Sequence, residues 1–482
     1  MVKLFELMQG IDIIDTPKNL NIEIKGVAID SREVKEGDLF ICIRGKQADG
    51  HEHVLEAEML GASAVIAERD VITNLPTIKV TNSRRAYSKI AQNYYNNPIL
   101  SMKFVTVVGT NGKTSTSVII EHLLSSAGYK TGLIGTLGYK ILDKMLEADL
   151  TTPDPMQLNR LFHKMKQAGV EIVIAEVSAH AIALDKLYGI KSDICIFTNL
   201  SQDHLDFFNT YEDYANTKLS YFSKDKIRAA IINSDDKLGR EIIKQANFPF
   251  ITYGIDEPSD VFAIDITNKS CGTSFIINLF DEIYEINSPL YGKHNLYNML
   301  AAITLAKMLK MPTSAIDESI QKLAQIEGRF NIFPHKNGKV IIDFAHTPDG
   351  LRNLLLTARS LTEGKIILVF GCGGNRDVTK RPIMGEIAGR LADIVVVTSD
   401  NPRFEEPINI INEIAPSVRE NNSEVYIYES RKEAIRFAIE MAEPSDTVII
   451  AGKGAEEYID IKGKKLKYSD TCEVKSVLRG EQ

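Results

Sequence analysis

Short runs of β-branched residues recur along this chain, and most of them pass directly into a polar motif rich in glycine, acid or histidine. Val105-Thr106-Val107-Val108 leads into Gly109-Thr110-Asn111-Gly112-Lys113-Thr114, and Ile172-Val173-Ile174-Ala175 into Glu176-Val177-Ser178. Ile194-Cys195-Ile196-Phe197 leads into Thr198-Asn199-Leu200-Ser201-Gln202-Asp203-His204, and Val340-Ile341-Ile342 into Asp343-Phe344-Ala345-His346. Ile394-Val395-Val396-Val397 precedes Asp400-Asn401-Pro402-Arg403, and Val448-Ile449-Ile450 precedes Gly452-Lys453-Gly454. Further strands are predicted at 229–232 and 366–369, with longer helical patterns between them. Fully apolar short strands alternating with helices predict α/β architecture with mainly parallel sheets and crossover helices. In open sheets of that kind ligands bind beyond the carboxyl ends of the strands, which is where these motifs stand.

A chain of 482 residues is expected to form about three domains. Tyr94-Tyr95-Asn96-Asn97-Pro98 interrupts a helical pattern that begins near Arg84, and Pro334 and Gly338 follow a helix predicted over 314–325. These breaks predict parts at 1–98, 99–332 and 333–482. The first reads as a small α/β domain with a strand at 40–44 and a helix at 54–60. The second reads as a P-loop-type domain and the third as Rossmann-like. Apolar residues make up 44% and charged residues 25%, which excludes a disordered chain. Lys plus Arg total 56 against 64 Asp plus Glu, a formal net charge of −8, so no nucleic-acid partner is expected. The start, Met1-Val2-Lys3-Leu4-Phe5-Glu6, lacks a signal-peptide profile. No uncharged apolar run approaches the roughly 20 residues of a membrane span. The five cysteines, Cys42, Cys195, Cys271, Cys372 and Cys472, are widely spaced without a Cys-x-x-Cys pair. A monomer in a reducing, cytoplasmic compartment is expected, with no membrane partner.

Gly109-Thr110-Asn111-Gly112-Lys113-Thr114 is a phosphate loop. Its glycines let backbone N–H groups turn towards phosphate oxygens, and the helix predicted over 115–126 points its positive end there. Lys113 pairs with β/γ-phosphates in such loops and the Thr114 hydroxyl binds Mg²⁺. The longer pattern with four residues between its glycines fails, because Val107 occupies the first glycine position. Glu176 and His204 end neighbouring strands and are candidate ligands of the divalent metal that a phosphate loop needs. A lone histidine or strand-end carboxylate is otherwise most often structural.

Taken with these motifs, the sequence resembles the Mur ligase family, the ATP-dependent amino-acid ligases of peptidoglycan precursor synthesis, and in particular its third-residue-adding branch. The resemblance covers nearly the whole chain. Asp30-Ser31-Arg32, Gly37-Asp38-Leu39-Phe40 and Asp49-Gly50-His51 carry it in the first part. The phosphate loop, Thr151-Thr152-Pro153, Glu176-Val177-Ser178-Ala179-His180, the stretch from Asn199 to Asp206, Gly292-Lys293-His294-Asn295 and Gly328-Arg329 carry it in the second. Asp343 to Asp349, Asp400-Asn401-Pro402-Arg403 and Gly452-Lys453-Gly454 carry it in the third.

The resemblance implies that the three parts hold the uridine diphosphate end of the substrate, ATP with Mg²⁺, and the incoming amino acid. Ser31 is then a nucleotide-sugar contact, and Thr151, Thr152, Ser178 and Lys186 contact the sugar-linked peptide. Lys186 stands where the family often has Arg, keeping the charge without the bidentate fork. Lys218, on a helical stretch after Tyr211-Glu212-Asp213-Tyr214, matches a lysine that the family carbamylates with CO₂. A helical lysine is ordinarily solvent-facing, but a carbamate presents two oxygens to Mg²⁺ where an ammonium would repel it. Gly109 to Thr114, Asn295 and Arg329 are implied ATP contacts. So are Asp343 and His346, whose alternative roles are a strand-end cap and a structural histidine. Arg376, Asp400, Asn401, Arg403, Gly452 and Glu456 are implied to hold meso-diaminopimelate. Arg403 offers a planar fork to the distal carboxylate that distinguishes this substrate from lysine. Phe330-Asn331 after Gly-Arg and Ala455 before Glu456 depart from the family's usual residues.

The implied reaction transfers the γ-phosphoryl group of ATP to the D-glutamyl carboxylate of UDP-N-acetylmuramoyl-L-alanyl-D-glutamate, and the amine of meso-diaminopimelate then displaces phosphate. The alternatives are the same ligase adding L-lysine, a Mur-type paralogue with another acceptor, and a P-loop ATPase switch without ligase chemistry.

Overall fold

The computed structural model describes residues 2–45, 48–269, 272–421 and 424–480. The chain packs as two compact units. One comprises Met1–Thr106, Tyr129–Cys195 and Tyr221–Ala229, and the other Val107–Gly128, Ile196–Ser220 and Ala230–Gln482. Cys271 lies outside the described residues. Cys42, Cys195 and Cys372 are buried free thiols and Cys472 is an exposed one. Among the described residues no helix is long and apolar enough to cross a membrane.

The first unit contains a five-stranded sheet in the order Ile13–Asp15, Thr77–Val80, Ala64–Ala67, Asp38–Ile41, Gly26–Ala28. Its last four strands are parallel. Successive residues of a strand face opposite sides, so Leu39 and Ile41 enter one core while Phe40 and Cys42 enter the other. The expected strand over 40–44 is thus found at Asp38–Ile41. The helix Ser83–Tyr94 starts at Asn82, whose side chain accepts from the Arg85 N–H. It ends where Asn96 and Asn97 take φ of 60° and 47° ahead of Pro98. Asparagine tolerates that left-handed region better than most residues, which explains the break foreseen there. Further along, Thr131–Gly135 pairs in parallel with Ile172–Val177 and antiparallel with Gly138–Ile141.

In the second unit a six-stranded sheet takes the order Asn331–His335, Gly338–Asp343, Thr447–Ala451, Ile366–Phe370, Ile394–Thr398, Glu424–Tyr428. All but the first strand run parallel. Ile341, Leu368, Val395 and Ile449 face one core, and Val340, Ile342, Ile367, Val396 and Ile450 the other. This is the doubly covered sheet expected of the last part. Pro334 and Gly338, which follow the expected boundary, lie in a hairpin. Asn331–His335 is an antiparallel edge strand, a place where a proline's missing donor is tolerated. The helix expected over 314–325 is observed at Thr313–Gln321. A ribbon of strands Val261–Lys269, Gly272–Leu279 and Glu282–Ser288 was not foreseen.

Candidate active site

The strand Lys103–Val108 ends at the phosphate loop, and the helix Lys113–Ser126 starts directly after it. Glycine is required at two points. Gly112 has φ of 83°, and a Cβ there would meet Asn298 Oδ1 at 2.4 Å. A Cβ on Gly109 would lie 1.8 Å from Thr198 Oγ1. The loop is held from the neighbouring strand end. Thr198 Oγ1 and Asn199 Nδ2 donate to the Asn111 carbonyl at 2.7 and 3.1 Å, and the Asn111 N–H donates to Asn199 Oδ1 at 2.9 Å. Lys113 Nζ donates to the carbonyls of Gly109 and Thr110 at 3.1 and 2.9 Å. Arg329 Nη2 donates to Thr114 Oγ1 at 3.3 Å, and its guanidinium lies 4.3 Å over the Phe344 ring. Asn295 is 2% exposed. Its Nδ2 donates to the Tyr291 carbonyl and its Oδ1 accepts from Asn298 Nδ2.

Lys218 is not a solvent-facing lysine. It sits on the helix Tyr211–Leu219 with 1% of its surface exposed. Its Nζ donates to Thr110 Oγ1 at 2.7 Å and to Tyr214 Oη at 2.6 Å. Burial, reinforced by the neighbouring Lys113 charge, holds its pKa well below the ordinary lysine value. Burial of this kind favours the neutral amine, which is the nucleophilic form.

Asp203 is the hub of a second cluster. Its carboxylate lies 3.3 Å from His204 Nε2, 3.6 Å from His346 Nε2 and 4.0 Å from Lys380 Nζ. Although burial opposes ionisation, the hydrogen bond from His346 and the surrounding cations hold its pKa well below the usual range. His204 takes φ of 58°, a conformation that side chains beyond glycine adopt sparingly and that concentrates at functional sites. Lys380 is 4% exposed and donates to the His346 carbonyl at 2.9 Å. Gln202 donates to Asp377 and Thr379, and Arg376 to Asp206 at 3.1 Å. Asn111 Nδ2 also donates to Asp349 Oδ2 at 3.2 Å. The loops after several strands of the second unit therefore meet around the phosphate loop. Asp343 accepts from the N–H groups of Phe330 and Ala345, the strand-end role that stood as its alternative. Lys380, Asp377 and Tyr214 were missed as site residues. The signal for Asp377 was the Gly373-Gly374-Asn375-Arg376-Asp377 run after the strand Ile366–Phe370.

In the first unit Glu176 is 1% exposed. Its two oxygens accept from the Thr136 N–H at 2.9 Å and the Thr136 hydroxyl at 3.0 Å. A Cβ on Gly135 would come within 2.2 Å of Glu176 Oε1. The expected peptide-contact residues form one network. Thr151 Oγ1 lies 3.0 Å from Thr136 Oγ1, Thr152 Oγ1 donates to the Glu176 carbonyl, and the Ser178 N–H donates to Thr152 Oγ1. Lys186 Nζ donates to the Thr152 carbonyl at 3.2 Å and pairs with Asp154 at 2.8 Å. Ser31 is buried and donates to Glu56 at 2.6 Å. Among the described residues no group of three or more His, Cys, Asp or Glu side chains is placed to hold a metal.

The wall expected to take the amino acid is assembled from two loops of the second unit. Arg403 has φ of 51°, its N–H donates to the Asp460 carbonyl and its own carbonyl accepts from Lys462. Its Nη1 donates to the Gly374 carbonyl at 2.8 Å, and its Nε stands 3.8 Å from Asp460 Oδ2. Asn401 Nδ2 donates to Glu456 Oε2, and Lys453 Nζ bridges Asn401 Oδ1 and Glu456 Oε2 at 3.0 and 2.9 Å. Lys453 is fully buried. Asp400 accepts from the Asn401 N–H, and a Cβ on Gly452 would lie 2.6 Å from Asp400 Oδ2. The two departures meet the Gly328-Arg329 turn. Asn331 accepts from the Gly328 N–H, and a Cβ on Gly328 would lie 2.9 Å from the Ala455 Cβ.

Family models match three stretches of the chain: "Mur ligase family, catalytic domain" over 23–99, "Mur ligase middle domain" over 107–306 and "Mur ligase, glutamate ligase domain" over 328–454. A Clostridium botulinum protein named UDP-N-acetylmuramoyl-L-alanyl-D-glutamate--2,6-diaminopimelate ligase is 39% identical over 465 residues, 95% of each chain. An Aquifex aeolicus protein of the same name is 40% identical over 458 residues, 95% of this chain and 94% of its own. A solved structure of a ligase of that name aligns with a TM-score of 0.70 at 29% identity, over 99% of both chains. The fold is shared with a MurF ligase of Thermotoga maritima in complex with ADP, at a TM-score of 0.61 and 19% identity over 94% of this chain and 97% of that one. With three family models in order along the chain and relatives near 40% identity over almost its whole length, the chain belongs to the Mur ligase family.

Proposed function

We propose that this chain is the ATP-dependent, ADP-forming ligase that joins meso-diaminopimelate to the D-glutamyl carboxylate of UDP-N-acetylmuramoyl-L-alanyl-D-glutamate, in the cytoplasm and as a monomer. The observation that carries the reading is the meeting of loops around the phosphate loop. Asp203 faces His346 and Lys380, Asp206 holds Arg376, and Asn111 reaches Asp349. A phosphate loop that only hydrolysed ATP would not need loops of a second sheet brought up to it. We assign the uridine diphosphate end to residues 1–98 with Ser31, ATP to 99–332, and the amino acid to 333–482. Thr151, Thr152, Ser178 and Lys186 take the peptide arm of the precursor.

Mg²⁺ fits the donors present. The Thr114 hydroxyl, His204 and a carbamate on Lys218, all in the second unit, would hold it, and few protein ligands suffice for a cation that keeps waters and binds phosphates. When bound, it neutralises charge on the transferring phosphoryl group. The amine of Lys218 attacks CO₂, forming an N–C bond and releasing one proton, while the Thr110 and Tyr214 hydroxyls that hold its Nζ fix where the carbamate would stand. Gly109 to Thr114 cradle the ATP phosphates, with Lys113 on the β/γ-phosphates. Asn295, Arg329, Asp343 and His346 line the rest of the nucleotide site. The glutamyl carboxylate accepts the γ-phosphoryl group, which makes it an acyl phosphate. The neutral amine of diaminopimelate attacks that carbonyl, and phosphate leaves with the amide formed. Asp400, Asn401, Gly452 and Glu456 orient the amino acid, while Arg376 and Arg403 take carboxylates. The test is an amino-acid panel with ATP and the purified UDP-muramoyl dipeptide. Phosphate release equal to tripeptide formed, with meso-diaminopimelate preferred, supports the reading. ATP hydrolysis indifferent to every amino acid contradicts it and favours an ATPase switch.

A further inference from the structure

Arg431 and Asp470 form a fully buried ion pair that no catalytic step above uses; both side chains have 0% of their surface exposed. Arg431 Nε and Nη2 donate to Asp470 Oδ1 and Oδ2 at 2.8 and 2.7 Å, a bidentate fork. The same guanidinium reaches two backbone carbonyls, Nη2 to Ala451 at 2.9 Å and Nη1 to Ser399 at 3.4 Å. Those residues immediately precede Gly452 and Asp400. The pair therefore stands behind the ends of Thr447–Ala451 and Ile394–Thr398, the two strands that flank Ile366–Phe370 in the sheet, at the roots of both loops of the amino-acid wall.

Stability alone explains the arrangement poorly. A buried ion pair barely offsets its own desolvation and is often replaceable by apolar residues without loss. Arg431 is also the first residue of the helix Arg431–Met441, where the helix dipole disfavours a cation. What the guanidinium supplies is geometric: five donors in one rigid plane, tied to a carboxylate at the start of the helix Asp470–Leu478. Lysine has the charge but not the plane.

We propose that Arg431, held by Asp470, is a positioning residue that sets the register of the Asp400–Arg403 loop against the Gly452–Glu456 loop, and so the affinity and selectivity for the amino acid. The proposal rests on the assignment of those loops to diaminopimelate. Its test uses the full-length enzyme in wild-type form, as the apolar double variant Arg431→Met/Asp470→Leu, and as Arg431→Lys should the double variant not fold. KM is measured for ATP, precursor and meso-diaminopimelate, and amide hydrogen exchange is followed over 399–405 and 451–456. The expected result is a KM for meso-diaminopimelate raised about ten-fold or more, since misplacing a binding group by an ångström is costly. The KM for ATP stays within about two-fold, and exchange accelerates in the two loops ahead of the rest of the sheet. An unchanged diaminopimelate KM with unchanged loop exchange overturns the proposal, as does an equal loss for all three substrates with exchange raised throughout. If the wild type fails to use diaminopimelate, the functional reading falls, and loop exchange alone still decides whether Arg431 sets the register.

Discussion

The surroundings of Lys218 and of Arg403 differ in how finished they are. Lys218 is sealed, with 1% of its surface exposed, and burial disfavours the charge on its amine. Arg403 and Arg376 keep 23% and 43% of their side chains exposed, and their partners are a backbone carbonyl and the carboxylates of Asp460 and Asp206. The first region is organised before any substrate arrives. The second consists of cations in solvent-screened contacts, which an incoming carboxylate can exchange at small cost. Chemistry needs fixed electrostatics, whereas selection needs a wall that binds and lets go.

Removal of the sealed amine should have the largest effect. Lys218→Ala is expected to lower kcat by roughly 10²–10³-fold, the scale on which single electrostatic contributors to catalysis act. Short carboxylates added to the variant should restore part of the rate by entering the vacated space. Near-normal turnover of the variant in CO₂-depleted buffer would dissolve the contrast between the regions.

Next comes the hub that joins them. Asp203→Asn leaves Lys380 buried without its counter-charge, and the expected loss of stability is about 3 kcal/mol at neutral pH. The pH dependence has a definite sign. A carboxyl depressed in the folded state stabilises fully above its unfolded value of about 3.9, and that contribution vanishes as pH falls through the folded value. Urea denaturation at several pH values should show a steeper acid limb for the wild type than for the variant. Parallel limbs would mean that Asp203 is not ionised against its neighbours.

The smallest effect runs in the opposite direction to activity. In CO₂-depleted buffer Lys218→Met should stabilise the protein by about 1 kcal/mol while abolishing turnover. The unfolded chain protonates this lysine below about 10.4, whereas the folded site keeps it neutral to lower pH. The wild type thus loses stability as pH falls from 10 towards the folded value, and the Met variant does not. Equal pH slopes for the two proteins would show that the lysine is charged when folded.

The strand-end placement of the motifs was readable because apolar runs such as Ile394–Thr398 are buried on both faces and end abruptly in polar residues. The phosphate loop was equally plain, since Gly112 and Gly109 are dictated by close approaches that no Cβ permits. The ribbon over 261–288 was not legible. In Glu282–Ser288 the inward Ile286 stands between outward Glu285 and Asn287, and such charged and polar residues dilute the apolar signal. The edge strand around Pro334 was not legible, because a proline inside a short strand is allowed only where the neighbouring strand leaves its position unpaired, which the sequence does not show. Lys380 and the Arg431–Asp470 pair escaped notice because burial of a long cation depends on partners far along the chain, which local patterns do not carry.

The most direct test compares meso-diaminopimelate with L-lysine in amino-acid-dependent phosphate release by the wild type and Arg403→Ala. Lysine offers no distal carboxylate to the guanidinium fork. Loss of a buried charge-assisted pair costs on the order of 2–5 kcal/mol, which is roughly 30-fold to several thousand-fold in discrimination. The wild type should use meso-diaminopimelate and reject L-lysine, and Arg403→Ala should lose that preference with its KM for ATP unchanged. Efficient L-lysine use by the wild type, or an intact preference in Arg403→Ala, would contradict the assignment.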